Sequence, residues 1–424
     1  MPRGATVSSA TTAGILACGA VAGIVAAWLL GPSGKGALAL GGVWFGLLSQ
    51  LGDLGVNQAV TFFISRDPAR AGEHWGRSVV IASAQALVIV PAGLLLSGAL
   101  VHSPTAVPAV RIGVVAVPFS LFLGYELSVL RGLERFGVYN ALRLCQSGLW
   151  LASVIAFAAL SVRSATGLMV CLLGAVAVTG AIATVVVVRA IGLPRIGIRG
   201  SRALMAYGSQ VWIGAVANQC NANVDQLILG AFAAAAALGQ YSVAVSVASL
   251  LTVISTGLGV VTLPAVARAD ARSRPVIARH NLRLGFGLMF VAAVAIGLAG
   301  PFVIPAVLGP AFRPAVPLLE ILLLGQVALG STQILHEIAR GMGRLRLPAV
   351  IETVGAAFTV GLLLLTVPRW GAHAAAWVSV AVYWPVAAAL WFALLRRPGI
   401  QSADAGPGPH PADVPGEVRA PAGA

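Results

Sequence analysis

Arg131-Gly132-Leu133-Glu134-Arg135 returns 209 residues later as Arg340-Gly341-Met342-Gly343-Arg344. Each copy closes one long apolar run and precedes another. Two shorter echoes keep the same order. Gly34-Lys35-Gly36-Ala37-Leu38-Ala39-Leu40 lines up with Gly239-Gln240-Tyr241-Ser242-Val243-Ala244-Val245 at an offset of 205, and Leu54-Gly55-Val56 with Leu258-Gly259-Val260 at 204. Glycine and leucine are common in this chain, so one match alone means little. Three in order at nearly one offset point to an internal duplication.

The apolar runs between these motifs define twelve spans: 10–30, 37–62, 78–101, 110–130, 141–160, 166–188, 205–231, 240–266, 284–305, 316–339, 348–367 and 372–395. Each matches the roughly 20 residues that a membrane helix needs. The runs are continuous and do not alternate, which predicts helices and excludes a barrel. The first run is too long for a signal peptide's apolar region and is read as the first span. The repeat offset equals six spans, an even number. The two halves therefore share one orientation, related by a pseudo-two-fold axis along the membrane normal. The expected fold is an all-α membrane protein with two six-helix bundles, over 1–195 and 196–397. A Pro-, Gly- and Ala-rich tail, 398–424, is expected to be disordered and cytoplasmic.

Charge supports the same layout. Of 26 arginines, 22 fall on connections to one side of the spans. Positive charge in short loops stays in the cytoplasm, so the Arg-rich side and both termini are expected inside. Hydrophobic residues make up 58% of the chain and mean hydropathy is +0.92, which excludes a soluble domain. A net charge of +14 could suggest nucleic acid, but the arginines form no basic face with interleaved aromatics. Anionic headgroups are their natural partner. The four cysteines have no metal-ligand spacing, and no metal or cofactor is expected.

Several motifs resemble those of polysaccharide-exporting flippases. Phe45-Gly46-Leu47-Leu48-Ser49-Gln50-Leu51-Gly52-Asp53-Leu54-Gly55-Val56 resembles their second-helix signature. Arg131-Gly132-Leu133-Glu134-Arg135-Phe136 resembles the inner end of their fourth helix. Asp225-Gln226-Leu227-Ile228-Leu229-Gly230, with Leu238-Gly239-Gln240-Tyr241-Ser242-Val243-Ala244 after it, resembles their seventh-to-eighth helix junction. Leu263-Pro264-Ala265-Val266-Ala267-Arg268 resembles the end of their eighth helix. The superfamily also holds the multidrug and toxin extruders (MATE). The resemblance implies a MATE-like fold that flips or exports an amphipathic solute.

Charge inside a bilayer is costly, about 3 kcal/mol for a central Asp on insertion scales, so each buried carboxylate needs a reason. Asp53 lies near the middle of the second span. It reads either as a coupling-ion or gating charge or as a helix cap beside Gly52 and Gly55. Glu126, Glu320, Glu337 and Glu352 are expected to snorkel or pair locally, as Glu337 can with Arg340 at i,i+3. The seventh span is the most polar. Asn218, Asn221 and Asp225 share one helical face, while Gln219, Asn223 and Gln226 follow on the adjoining one. Such a stripe reads as the wall of a wet cavity, or alternatively as interhelical hydrogen bonding. His336 beside Glu337 reads as a proton relay or as a headgroup-level histidine. Arg131, Arg135, Arg340 and Arg344 could ring the inner mouth and recruit a diphosphate, or serve only as topology determinants.

The sequence thus points to an alternating-access flippase. Its substrate would be an undecaprenyl-diphosphate-linked oligosaccharide moving to the outer leaflet of a bacterial cell membrane, beside glycosyltransferases and a polymerase. No G-x-x-x-x-G-K-[ST] motif is present, so the energy source would be H+ or Na+ or consumption of the product outside. An ion-coupled drug or metabolite exporter is the first alternative. A membrane polymerase or ligase ranks lower, because the connections on the Arg-poor side are too short to hold donor and acceptor. A non-catalytic membrane scaffold ranks last, having no use for a polar seventh span.

Overall fold

In the computed structural model, described residues are 2–197, 200–270, 272–344 and 346–396. The side chains of Asn218 and Asn221, and the expected tail 398–424, lie outside the described residues. Among the described residues twelve α-helices run in order: α1 Pro2–Asp53, α2 Val56–Arg66, α3 Ala71–Leu100, α4 Val107–Gly132, α5 Phe136–Ala159, α6 Ala165–Ile191, α7 Ser201–Phe232, α8 Ala235–Ala248, α9 Thr252–Arg268, α10 Arg274–Leu308, α11 Ala315–Gly341 and α12 Arg346–Trp391.

Helices and crossings do not correspond one to one. At about 1.5 Å per residue, the 52 residues of α1 are far longer than a bilayer's hydrocarbon is thick. The chain turns back at Gly31, whose φ of 66° and ψ of −177° are non-helical. α12 turns back in the same way at Gly371, with φ 58° and ψ −137°. Among the described residues, nine helices are long and apolar enough to span. Two of these are hairpins, and the more polar α7 adds one crossing, which makes twelve. α2 completes the second crossing, and α8 with α9 forms the eighth.

Crossings one to six pack chiefly among themselves, with α4 in their middle, and crossings seven to twelve do the same around α11. The flanks of α3 and α10 face outward with bare apolar side chains, Leu87 at 78% and Phe302 at 77% exposure, as a lipid-facing surface requires.

The duplication is structural. α4 and α11 end in the same turn: Arg135 N–H donates to Leu130 O and Arg344 N–H to Ala339 O, both at 2.9 Å. Glu134 and Gly343 take the left-handed conformation there, with φ 57° and 71°. A Cβ on Gly132 would lie 3.1 Å from Thr61 O, and one on Gly341 3.1 Å from Leu263 O. One register differs from the sequence alignment, which pairs Gly34 with Gly239. In space Gly36 and Gly239 are partners. A Cβ on Gly36 would sit 1.8 Å from Ala235 O, and one on Gly239 1.8 Å from Pro32 O. Each would also sit 2.9 Å from the other glycine's N. The contact is its own mirror under a two-fold rotation, so the pseudo-axis passes between these glycines at the Arg-poor end. Similar sequence around both positions masked a shift of two residues.

Two helices begin earlier than hydropathy predicts. α3 starts at Ala71, not 78, and α10 at Arg274, not 284. Helical hydrogen bonds are internal, so a helix continues past the hydrocarbon wherever its polar turns pair with one another or with water. In α3, Glu73 bridges Arg70 and Arg77, both at 2.9 Å.

Substitution of Gly239 by Leu should force the bundles apart at the Arg-poor end. Spin labels at Ser33→Cys and Ala236→Cys, in a background without the native cysteines, should then report a longer, broader distance than with Gly239 intact. An unchanged distance would refute the close approach.

Candidate functional site

The second crossing breaks where the D-L-G motif lies. Leu54 and Gly55 both have positive φ, 47° and 73°, between α1 and α2. Breaking a helix in the membrane frees backbone donors that must be satisfied within the protein. Asp53 supplies an acceptor: its Oδ1 takes the Asn57 N–H at 3.1 Å. The side chain is buried, so this bond forms away from water. Gly55 is required on a second count, because a Cβ there would lie 2.1 Å from Gly208 O of α7.

Below the break, α2 and α4 share a polar ladder. Ser128 donates to Asn57 Oδ1 at 3.0 Å, Thr61 donates to Asn57 O at 3.0 Å, and Arg131 donates to Thr61 Oγ1 at 2.8 Å and Gln58 Oε1 at 3.3 Å. Above it, the buried Tyr125 hydroxyl donates to Gln85 Oε1 at 2.8 Å. Sequence reading missed Tyr125, Gln85 and Thr61, because pairing across helices leaves no local spacing. Glu126 corrects an expectation. Instead of snorkelling or pairing on its own helix, it is buried and accepts from Thr184 of α6.

α7 presents two polar faces. One follows the second crossing antiparallel: Gly208 meets Gly55, Trp212 Nε1 donates to Gln50 O at 3.0 Å, and Gln219 Nε2 lies where a Cβ on Gly46 would be 3.4 Å away. Asn223 lies one turn further on, half-buried, and its Nδ2 donates to Gln219 O at 3.3 Å. Gly230 ends the stripe against Leu40. This face therefore sits between the bundles. Asp225 points into the second bundle instead. It is 6% exposed, its Oδ2 accepts from the Tyr241 hydroxyl of α8 at 2.5 Å, and its Oδ1 accepts from Gln226 N–H at 2.7 Å. Asn218 and Asn221 lie on α7, and their side chains are outside the described residues.

The four expected mouth arginines separate into two equivalent pairs, one at each repeated turn. Arg131 is engaged by Thr61 and Gln58, whereas Arg135 is exposed. Arg340 pairs with Glu337 at 2.9 Å, the i,i+3 partner read from sequence. Arg344 contributes its backbone to the turn. His336 Nε2 lies 3.1 Å from Glu352 Oε1, an ion-pair distance across α11 and α12 without hydrogen-bond alignment. Lys35 is buried, its Nζ directed along the first crossing towards Gly23. Only the tertiary fold shows which way this long side chain reaches.

Two families have models that match this chain: one of polysaccharide biosynthesis proteins over residues 4–270, and one named MatE over 213–365. No curated protein matches it. Among solved structures, the lipid II flippase MurJ in an inward closed conformation is similar with a TM-score of 0.78 and 11% identity, covering 92% of this chain and 87% of that one. An inward-facing multidrug resistance MATE transporter gives 0.74 and 15% identity, covering 92% and 96%. An outward-facing one gives 0.63 and 15%, covering 93% and 96%. With two aligned six-helix bundles, a repeated helix-ending turn and a family model that spans more than half of its length, the chain is a multi-pass membrane protein that belongs to the polysaccharide biosynthesis protein family.

Proposed function

We propose that the protein is an alternating-access flippase that carries an undecaprenyl-diphosphate-linked oligosaccharide from the inner to the outer leaflet of a bacterial cell membrane. One observation carries the reading. The bundles meet through the reciprocal Gly36–Gly239 contact, a joint built from backbone on both sides. Such a joint can close tightly and reopen without breaking a side-chain lock. The amide stripe of α7, Gln219 and Asn223, lies on the surface that rocking would uncover to sugar hydroxyls. Membership of the polysaccharide biosynthesis family supports a glycan cargo. The lipid tail would stay in the bilayer while the headgroup crosses between the bundles. The protein would act as a transporter and not as an enzyme, beside glycosyltransferases that build the cargo and a polymerase that uses it.

The Arg-rich end faces the cytoplasm in this reading, with both termini inside. Energy would come from H+ or Na+ or from removal of the product outside. The MatE match over 213–365 favours a second reading, an ion-coupled exporter, in which the buried Asp225–Tyr241 pair would hold the coupling ion.

Inverted membrane vesicles loaded with lipid-linked sugar test the first reading. Wild-type protein should make the sugar accessible on the far side, and the Gln219→Ala/Asn223→Ala double variant should slow this by at least about tenfold at equal expression. Normal flipping by that variant would remove the amide stripe from the mechanism. Asp53→Asn should flip within about twofold of wild type, because an amide oxygen accepts the same capping bond, while Asp53→Ala should cost about 1 kcal/mol of stability. If Asp53→Asn abolishes flipping while the protein stays folded, Asp53 acts through its charge. Reporter fusions after Arg70 and Arg195 should read as cytoplasmic and those after His102 and Gly309 as external; the reverse pattern would invert the orientation.

A further inference from the structure

Between α2, α3 and the first turn of α7, at the Arg-rich end, lies a cavity of about 310 Å³. Arg66, Arg70, His74 and Arg77 line one wall, and Gly200, Ala203 and Leu204 the other. Sequence reading treated these arginines only as loop charges.

The guanidinium groups are held in place. Glu73 Oε2 accepts from Arg70 Nη2 and Arg77 Nη2, both at 2.9 Å, and so fixes two forks beside one opening. The Arg77 side chain is only 13% exposed. His74, buried and stacked on Phe63 at 5.5 Å, sets its Nδ1 3.4 Å from Arg77 Nη1. Arg66 lies 4.5 Å over the Phe62 ring, which stacks on Tyr207 of α7 at 4.4 Å. Among the described residues, Arg66 has no carboxylate within ion-pair distance. Asp67 is the one carboxylate in the lining, against three arginines.

The opposite wall is also electropositive. α7 begins after Gly200 with no side-chain cap, and Gly200, Ala203 and Leu204 line the cavity, so the positive end of a 32-residue helix lies beside it. Gly200 has φ 89°, and a Cβ on it would lie 3.1 Å from Arg77 Cζ. The linker between the bundles is pinned alongside, with Arg195 N–H donating to Gly72 O at 2.9 Å. Fork-shaped donors opposed to a helix N-terminus suit an anion with several oxygens arranged around one centre. A metal cation would meet three guanidinium groups and be repelled.

We infer that this cavity binds a phosphate-bearing anion across the two bundles. Its walls belong to α2–α3 on one side and α7 on the other, so an occupant favours the arrangement in which they stand this close. The binding itself does not depend on the flippase reading; only the link to bundle rocking rests on it. The phosphate can come from a lipid headgroup at the membrane surface or from solution.

The test uses the full-length protein in detergent, titrated with pyrophosphate at constant ionic strength and followed by isothermal titration calorimetry. Wild-type protein should show a saturable change that chloride does not produce. Arg66→Gln and Arg77→Gln should each weaken binding by about tenfold or more, and Arg77→Lys by less, because it keeps the charge and loses the fork. Arg283→Gln, on α10, should bind as wild type. Arg66 is exposed, so its variant tests the site without disturbing folding. No saturable response, or Arg66→Gln and Arg77→Gln both binding as wild type, would overturn the proposal. In nanodiscs, competition from phosphatidylglycerol but not phosphatidylcholine identifies a headgroup source, and pyrophosphate binding equal in both identifies a soluble one. A protein that binds pyrophosphate but does not flip lipid-linked sugar would retain this site and lose the flippase reading.

Discussion

Two backbones touching without side chains between them is the constraint from which the rest of the architecture follows. Inside a membrane, apolar burial drives helices together only weakly, because lipid tails are as apolar as leucine. Close van der Waals approach must serve instead. At Gly36 and Gly239 the approach is tight enough to leave no room for a single methyl group on either partner. It is also self-complementary, so one geometric solution serves both halves of a duplicated chain. That symmetry places the axis, and the axis places the second and eighth crossings at the centre, with α4 and α11 as the buried hubs behind them.

The halves depart from symmetry where chemistry is concentrated. The second crossing breaks fully at Leu54 and Gly55, whereas the eighth is interrupted by only a short 3-10 turn at Ser249–Leu251. The break brings Gly55 onto Gly208 and so joins the first bundle to α7. Beneath it Asn57, Thr61, Ser128 and Arg131 hydrogen-bond one another across α2 and α4. The first bundle is thereby stiffened around its break, while the joint between bundles stays free of ion pairs among the described residues.

Charge is distributed by the same logic. Asp53 caps a helix, Asp225 is held by a tyrosine, Glu126 by a threonine, and Glu337 by its own helix's arginine. Where α7 meets the middle of the second crossing, the polar side chain is a neutral amide, Gln219, with Asn223 one turn further along α7. Amides hydrogen-bond hydroxyl groups without the desolvation cost of a bare ion, which suits a sugar as cargo. The concentrated positive charge sits at the Arg-rich end, where α2, α3 and α7 converge.

Twelve crossings, their sidedness of charge, the duplication and the Glu337–Arg340 pair were all legible in sequence, because hydropathy, charge and helical spacing are local properties. The D-L-G motif could be located but its geometry could not be read: the positive φ of Leu54 and Gly55, which sets Asp53 to cap α2, leaves no mark on residue spacing. On α7 the spacing put Asn218, Asn221 and Asp225 on one face; of these only the Asp225 side chain is among the described residues, and spacing could not say what it meets. Only the packing of α8 turns Asp225 inward onto Tyr241, while Gln219 lies towards the second crossing. The cavity among Arg66, Arg77 and Gly200 joins residues more than 120 positions apart, and no pattern along the chain records such a meeting. Composition determined what kind of solvent this chain lives in and how often it crosses it. Which helices stand against one another was decided by where glycines permit backbones to touch, a matter of shape in three dimensions.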